Sequence, residues 1–241
     1  MDNGYDEWAQ EYAELVRRDV NDPHSPYGFV TSRALSVVGP VRGKRVLDAG
    51  CGPGHVSSVL AARGASVVAV DVSQRLIQMA RLSRGDSQIE YECRDLTKGL
   101  AEYRNAFDIV LANLVLNDTP DCGAFIRTMG ESTKSGGHAV VTLNNPYSAV
   151  IRQKVANYAE SGASAAHIGL GKAGVHVKYY HRTMEELVEA FHWAGYVIER
   201  LEDLIPQPSS DLPVFGEKYS HFPYMMLLLL SKQECMASLV T

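Results

Sequence analysis

Apolar positions along the chain follow two different periods, and the change of period divides the chain into elements. Between residues 43 and 145, short runs of Val, Ile, Leu and Ala alternate with segments in which apolar residues recur every three or four positions. The runs predict buried strands, and the segments between them predict amphipathic helices. Strands separated by helices in this way form a parallel sheet covered on both faces, built by right-handed crossovers. The pattern therefore predicts a doubly wound α/β fold.

The first 42 residues predict helices instead of strands. In YDEWAQEYAELVRR, Trp8, Tyr12 and Leu15 share one face at three- and four-residue spacing. A second helix is expected from the Ser25-Pro26 start to the Gly39-Pro40 stop. We predict that residues 1–42 form a helical lid and that residues 43–145 form the core. The apolar N-terminal helices could instead serve as a contact in a homodimer.

The regular alternation stops after Asn145. Residues 146–182 contain YSAVIRQKVANYAESG, predicted to be helical, then ASAAHIGLGKAG, predicted to be flexible, and then the extended segment VHVKYYHRT. We predict that they form a cap inserted after strand five. Residues 183–241 return to the core sheet: a Thr183–Glu186 capping box starts a helix, and YVIERL and YMMLLLLSK are final strands joined by a proline-rich loop.

Composition limits the class of protein. The chain has 241 residues, of which 46% are hydrophobic and 21% charged, and its net charge is -5 at pH 7. A mildly acidic protein gains little from nucleic-acid phosphates, so we expect no nucleic-acid partner. No apolar run is long enough to cross a bilayer, and the acidic first segment does not read as a signal peptide. We therefore expect a cytoplasmic protein with no membrane partner and with its four cysteines reduced.

The first predicted strand runs into a glycine-rich turn, VLDAGCGPGHV. Gly50, Gly52 and Gly54 follow a G-x-G-x-G pattern, and His55 occupies the place of the third glycine in the dinucleotide fingerprint. A Walker lysine is also missing, which argues against a triphosphate cradle. Three glycines in five residues let the backbone approach a ligand closely.

Acidic residues stand at the ends of the predicted strands. Asp48 lies just before the glycines, and Asp71 ends the second strand, where a carboxylate can accept hydrogen bonds from both hydroxyls of a ribose. Asp95, in ECRDL after the third strand, can meet an adenine amino group.

These motifs, together with FDIVLANLVLND, resemble those of the class I S-adenosylmethionine (SAM)-dependent methyltransferases. The resemblance covers about residues 43–145 and is weaker in YHRTMEELVEAFHWAGYVIERL. It implies a Rossmann-like seven-stranded sheet whose last strand is antiparallel, with SAM at the carboxyl ends of the strands. The cofactor residues that it implies are Tyr5 from the lid, Asp48 and Gly50, Gly52 and Gly54 at the turn, Asp71 for the ribose, Val72, Asp95 and Leu96 for the adenine, and Asn113 through its backbone.

Methyl transfer is an in-line displacement at a sulfonium, so alignment and desolvation can supply much of the catalysis. We predict His181, in KYYHRT, as the general base, because an imidazole titrates near pH 7; alternatively, it only pins the loop. Asp118 could be a base or, as we prefer, the cap of the next helix. The residues predicted to contact the acceptor are Asn117, Tyr147, Tyr179 and Tyr180.

The predicted function is methyl transfer to a small molecule. Asn113 and Asn144-Asn145 occupy the places of the metal ligands in catechol-type enzymes, so no metal is predicted. Aromatic residues in the lid and cap suit a flat aromatic or heteroaromatic acceptor, with carbon, nitrogen or oxygen as the methylated atom. By family analogy, the chain is most similar to bacterial enzymes that tailor secondary metabolites or quinone-like rings. A methyltransferase acting on protein or RNA is the first alternative. The second is a SAM-binding protein that transfers no methyl group, or that uses SAM for rearrangement or cyclisation.

Overall fold

The protein is built around one large mixed sheet, and its computed structural model describes residues 5–22, 25–83, 89–151, 155–170, 175–205 and 222–233. The strands of the large sheet are β1 (Arg45–Ala49), β2 (Ser66–Asp71), β3 (Ile89–Cys93), β4 (Phe107–Asn113), β5 (Thr133–Asn144), β8 (Tyr196–Leu204) and β9 (Met225–Lys232). Their order is β3-β2-β1-β4-β5-β9-β8. A separate antiparallel pair consists of β6 (Gly162–Leu170) and β7 (Val175–His181).

Helices cover both faces of the sheet. They are α1 (Ala9–Asp19), α2 (Pro26–Val38), α3 (His55–Ala62), α4 (Gln74–Ser83), α5 (Cys122–Ser132), α6 (Pro146–Ile151) and α7 (Met184–Trp193). Within the described residues, no helix combines the length and the apolar character that crossing a membrane requires.

The predicted seven-stranded topology is confirmed. Strands β1 to β5 pair in parallel, and β9 is antiparallel to both β5 and β8. The apolar run YMMLLLL forms most of β9, between two other strands. Successive residues of a strand point to opposite faces, so Met226 and Leu228 join one hydrophobic core while Met225 and Leu227 join the other.

Local capping explains most of the helix boundaries. The Ser25 side chain accepts a hydrogen bond from the backbone N–H of Gly28, and the capping box of Thr183 and Glu186 opens α7. The cap of α5 is Asp121, whose carboxylate accepts from the backbone N–H of Ala124 at 2.9 Å. The prediction that Asp118 caps this helix was therefore wrong.

The predicted cap segment, 146–182, differs from its sequence interpretation. Helix α6 is a short helix that ends at Ile151. The stretch predicted to be flexible instead supplies β6, which pairs with the extended segment that becomes β7. An extended segment outside the main sheet needs partners for its backbone groups, and a second strand provides them. The proline-rich loop predicted between the last two strands lies outside the described residues.

Candidate functional site

A cavity of about 380 Å³ opens at the carboxyl ends of the central strands. It lies where β2 and β4 diverge on either side of β1, the point of an open α/β sheet at which ligands bind. The predicted cofactor residues that line it are Tyr5, Gly50, Gly52, Asp71, Val72, Asp95, Leu96 and Asn113. The structure thus brings together most of the site that the sequence predicts.

The glycine turn is held in place by the acid at the end of β2. Gly50 and Gly52 have φ angles of +81° and +53°, in the left-handed region that favours glycine. Asp71 Oδ2 accepts the backbone N–H of Gly52 at 2.8 Å, and Oδ1 accepts that of Ser73 at 2.9 Å. Burial raises the pKa of Asp71, and these two hydrogen bonds oppose that rise. The carboxylate therefore organises the turn as well as facing the cavity.

Gly54 does not line the cavity. A β-carbon at this position would lie 2.6 Å from the Tyr91 hydroxyl oxygen and 2.9 Å from the β-carbon of Ala80. The predicted contact of Gly54 with SAM stays a prediction. Glycine at this position allows the start of α3 to pack closely against α4 and β3.

Asp48 is buried behind the turn and also lies outside the cavity lining. Its Oδ2 accepts the Ser57 hydroxyl at 2.5 Å, which links the end of β1 to α3. This contact fits the predicted role of orienting the turn. Burial raises the pKa of Asp48 to about 7.

We expect Asp48→Asn to stabilise the protein more at pH 8 than at pH 5. The pKa of Asp48 is about 7 in the folded state and about 3.9 in an unfolded chain. Between these values the folded protein retains a proton that the unfolded chain has lost, so stability falls as the pH rises toward 7. Asparagine can still accept the Ser57 hydrogen bond and does not titrate. Thermal or urea unfolding should show a gain about 2–3 kcal/mol larger at pH 8; equal gains at both pH values would contradict this account.

The adenine side of the cavity combines one carboxylate with apolar groups. Asp95 Oδ1 accepts the backbone N–H of Thr97 at 2.9 Å and its hydroxyl at 2.6 Å. Leu96 is buried beside it, and Leu76 and Phe125 complete the wall. Leu76 and Phe125 were not predicted as site residues, because apolar residues on amphipathic helices are equally typical of the hydrophobic core.

Asn113 ends β4 and uses its side chain within the protein. Its Oδ1 accepts the Thr142 hydroxyl at 2.7 Å, and its Nδ2 donates to Thr31 Oγ1 at 3.1 Å. These bonds anchor the end of β4 to β5 and α2. The predicted contact with SAM concerned the backbone here, and it stays a prediction.

The N-terminal segment lies across the cavity. Tyr5 and Tyr12 both line it, with ring centroids 4.9 Å apart in an edge-to-face arrangement. The Tyr5 hydroxyl donates to Asp118 Oδ2 at 2.7 Å, and Asp6 accepts the Ser73 hydroxyl at 2.5 Å. Burial, and then the Asp118 charge, raise the pKa of Tyr5, so its hydroxyl remains a donor. The segment thus bridges the start of α4 and the turn after β4.

Strand β7 presents alternate residues to the cavity. Lys178 and Tyr180 line it, whereas Tyr179 and His181 are fully buried on the other face. His181 Nε2 donates to the backbone carbonyl of Tyr158 at 2.8 Å. His181 and Tyr179 thus lie outside the cavity lining, and their roles as general base and acceptor contact stay predictions. The two-residue period of a strand is the signal that could have separated these pairs.

We expect His181→Gln to change stability and to leave the shape of the pH–rate profile as it is. Gln can donate to the Tyr158 carbonyl, whereas His181→Ala loses both this bond and buried volume. The Ala variant should therefore be the less stable of the two, with a loss of about 2–4 kcal/mol relative to wild type. Thermal unfolding and pH–rate profiles of both variants test this. An ascending limb near pH 6–7 that disappears in a stable Gln variant would support the role of general base.

Two other predicted acceptor contacts lie away from the cavity. Asn117 is buried, and its Oδ1 accepts the backbone N–H of Asn144 at 2.8 Å, which joins the turn after β4 to the end of β5. Tyr147 stacks on Tyr158 at a shallower groove, with centroids 5.1 Å apart. The structure therefore does not bring these two residues to the cavity lining, and their acceptor contacts stay predictions. Asp118, which we preferred as a cap, lines the cavity instead.

Metal-ligating side chains are not clustered in the described parts of the chain. No group there brings together three or more His, Cys, Asp or Glu side chains that could hold an ion.

Comparison with known proteins identifies the family. A family profile described as a methyltransferase domain matches residues 9–201. A ubiquinone biosynthesis O-methyltransferase from Xylella fastidiosa (strain 9a5c) is 34% identical over 137 residues, which cover 52% of this chain and 54% of that protein. The chain thus spans about half the length of the curated relatives that it matches.

Solved structures of similar fold cover more of the chain. A SAM-dependent methyltransferase from Mesorhizobium loti is 25% identical, with a TM-score of 0.70 over 83% of this chain and 96% of that chain. A Listeria monocytogenes protein assigned to the same class is also 25% identical, with a TM-score of 0.73 over 85% and 97%. The matched profile includes the glycine turn, Asp71 and the central strands around the cavity. The chain therefore belongs to the methyltransferase domain family, as a class I SAM-dependent methyltransferase with SAM as its cofactor.

Proposed function

We propose that the protein transfers the methyl group of SAM to a hydroxyl oxygen of a small hydroxylated aromatic molecule, without a metal ion. One observation carries this proposal: a single cavity contains the cofactor residues Gly52 and Asp71 together with Tyr12, Asp118 and Tyr180. Aromatic walls with a few polar groups are the usual lining of a small-molecule site.

Bound SAM supplies an activated methyl group on a sulfonium. The protein's contribution is alignment and exclusion of water. The Asp71 carboxylate would accept the two ribose hydroxyls, and the backbone at Gly50 and Gly52 would lie against the amino-acid part. Tyr5 and Tyr12, from the N-terminal segment, would cover the reacting atoms from solvent.

The acceptor end combines rings with one carboxylate. Tyr180 offers a ring surface, and Asp118 offers oxygens that can accept a hydrogen bond from a phenolic hydroxyl. Asp118 would accept the phenolic proton as the phenolic oxygen takes up the methyl group and S-adenosylhomocysteine leaves. The names of the curated relatives, ubiquinone biosynthesis O-methyltransferases, support oxygen as the methylated atom and a quinone-like or phenolic ring.

The test is transfer of a deuterated methyl group from SAM to a panel of phenols, catechols and aromatic amines, with and without EDTA. Mass spectrometry should show a labelled methyl group on hydroxylated rings, and fragmentation should locate it on oxygen. EDTA should leave the rate unchanged. Label found in peptide or RNA substrates but in no small molecule would support the macromolecular alternative. Tight cofactor binding without any transfer would support a SAM-binding protein that is not a methyltransferase.

A further inference from the structure

The carboxylates that line the cavity have hydrogen-bond donors within the protein. The pairs are Asp71 with the backbone N–H groups of Gly52 and Ser73, Asp95 with Thr97, Asp118 with the Tyr5 hydroxyl, and Asp121 with the backbone N–H of Ala124. Each negative charge at the cavity is therefore stabilised before any ligand binds.

The basic side chains that line the cavity differ from one another in whether they form ion pairs within the protein. Arg94 forms ion pairs with Glu102 at 2.5 Å and Glu92 at 3.4 Å. Lys98 and Lys178 have no carboxylate within ion-pairing distance among the residues that the structure describes. Lys98 follows Asp95 and Leu96 in the chain and lies at the adenine side. Lys178 lines the cavity from β7, beside Tyr180.

Strand β7 is held over the acceptor end of the cavity. It packs against the short turn Leu116–Asp118. Just after β7, Arg182 donates to the backbone carbonyls of Thr119 at 2.7 Å and Pro120 at 2.5 Å. Lys178 and Tyr180 are two residues apart and face the same side. The Lys178 ammonium is therefore carried by the wall that faces the acceptor.

We propose that Lys178 binds a carboxylate of the methyl acceptor, so that the preferred substrates are hydroxylated aromatic acids. This inference rests on the proposed function, because it names the chemistry of that acceptor. Lys178 is exposed and has no carboxylate within ion-pairing distance among the described residues, so it adds to the acceptor end one positive charge that a ligand or solvent can balance. A hydrogen bond between an ammonium and a carboxylate is stronger than one between an ammonium and a neutral amide, so an acid should bind more tightly than its amide. The lysine stem can follow the aromatic wall while its ammonium reaches the acid group.

The experiment compares acids with neutral analogues that have the same rings. Protocatechuate and caffeate are each paired with their amide, and binding to protein saturated with S-adenosylhomocysteine is measured by titration calorimetry. The variants are Lys178→Met, which keeps the stem, and Lys178→Arg, which keeps the charge. Lys44→Met is the matched control, since Lys44 is exposed and precedes β1 at the opposite edge of the sheet.

We expect the wild type and the Lys44→Met variant to bind each acid about tenfold or more tighter than its amide, as charge-assisted hydrogen bonds predict. The Met variant should lose this preference, the Arg variant should keep most of it, and added salt should reduce it. The absence of an acid preference in both pairs, or its survival in Lys178→Met, would overturn the inference.

Turnover with SAM separates this inference from the proposed function. Acids that bind with the expected preference but accept no methyl group would overturn the proposed function and support the role of Lys178 in binding. Amides methylated with the same kcat/KM as the acids would overturn the role of Lys178 and leave the proposed function standing.

Discussion

Asp71→Asn is expected to weaken the binding of S-adenosylhomocysteine by about 100-fold or more. The Asp71 carboxylate holds the backbone N–H of Gly52 at 2.8 Å and would accept the ribose hydroxyls of the cofactor. Hydrogen bonds to a charged group contribute about 1.5–3 kcal/mol each, and two of them account for this loss. An asparagine also turns a donor toward either Gly52 or Ser73, so the glycine turn should move. Titration calorimetry measures the change in Kd.

Asp108→Asn is the matched control for this experiment. Asp108 also accepts a backbone N–H, from Arg45 at 2.8 Å, but it does so near the start of β4, away from the cavity. Its replacement should leave the affinity within about threefold of wild type. An Asp71→Asn protein that melts normally and binds as well as this control would show that Asp71 is not the ribose acid.

Gly50→Ala is expected to reduce cofactor affinity by a similar or larger factor. The φ angle of Gly50 is +81°, where an L-residue costs about 1–2 kcal/mol. The added β-carbon would also collide with Val115 Cγ2 and lie 2.8 Å from Val115 Cβ. Because Val115, shortly after β4, packs directly against the turn, the turn must shift away from its binding position. Calorimetry with S-adenosylhomocysteine should show a loss of about 100-fold or more.

Two further variants separate steric collision from backbone strain. Gly136→Ala has a comparable φ of +73° with nothing within 4 Å of the added atom, so it should lose stability and keep cofactor affinity. Combining Gly50→Ala with Val115→Gly removes the collision and should restore part of the affinity. If Gly50→Ala binds the cofactor as tightly as wild type, the close approach of this turn to Val115 has no functional role.

The cofactor half of the site could be predicted because it depends on short-range features. The glycines, Asp71, Asp95 and Asn113 each end or follow a strand of a parallel sheet, and all such ends meet at one edge. The position of each residue relative to its own strand was therefore enough to predict that they lie close together. Gly54 and Asp48 were the exceptions: Gly54 packs against Tyr91 and Ala80, and Asp48 accepts a hydrogen bond from Ser57, and only packing brings these groups together.

The acceptor half could not be predicted in the same way. It depends on how the β6–β7 hairpin and the N-terminal segment lie over the sheet. The sequence of β6 did not predict a strand. One face of β7 is buried and the other faces the cavity, and this difference determines that Tyr180 lines the cavity whereas His181 does not. The Tyr5–Asp118 contact joins residues 113 positions apart, so no local pattern contains it.

The sequence by itself determined the doubly wound sheet, the helix caps at Ser25 and Thr183, and the glycine turn, whereas the antiparallel last strand was predicted only from the family resemblance. Periodicity, capping and glycine conformation act over a few residues, and a chain carries that information locally. The tertiary structure alone decided that Asp118 faces the cavity, that His181 is buried, and that Lys178 enters the acceptor wall. Those outcomes depend on which surfaces are buried against each other, and burial is set by segments far apart in the chain.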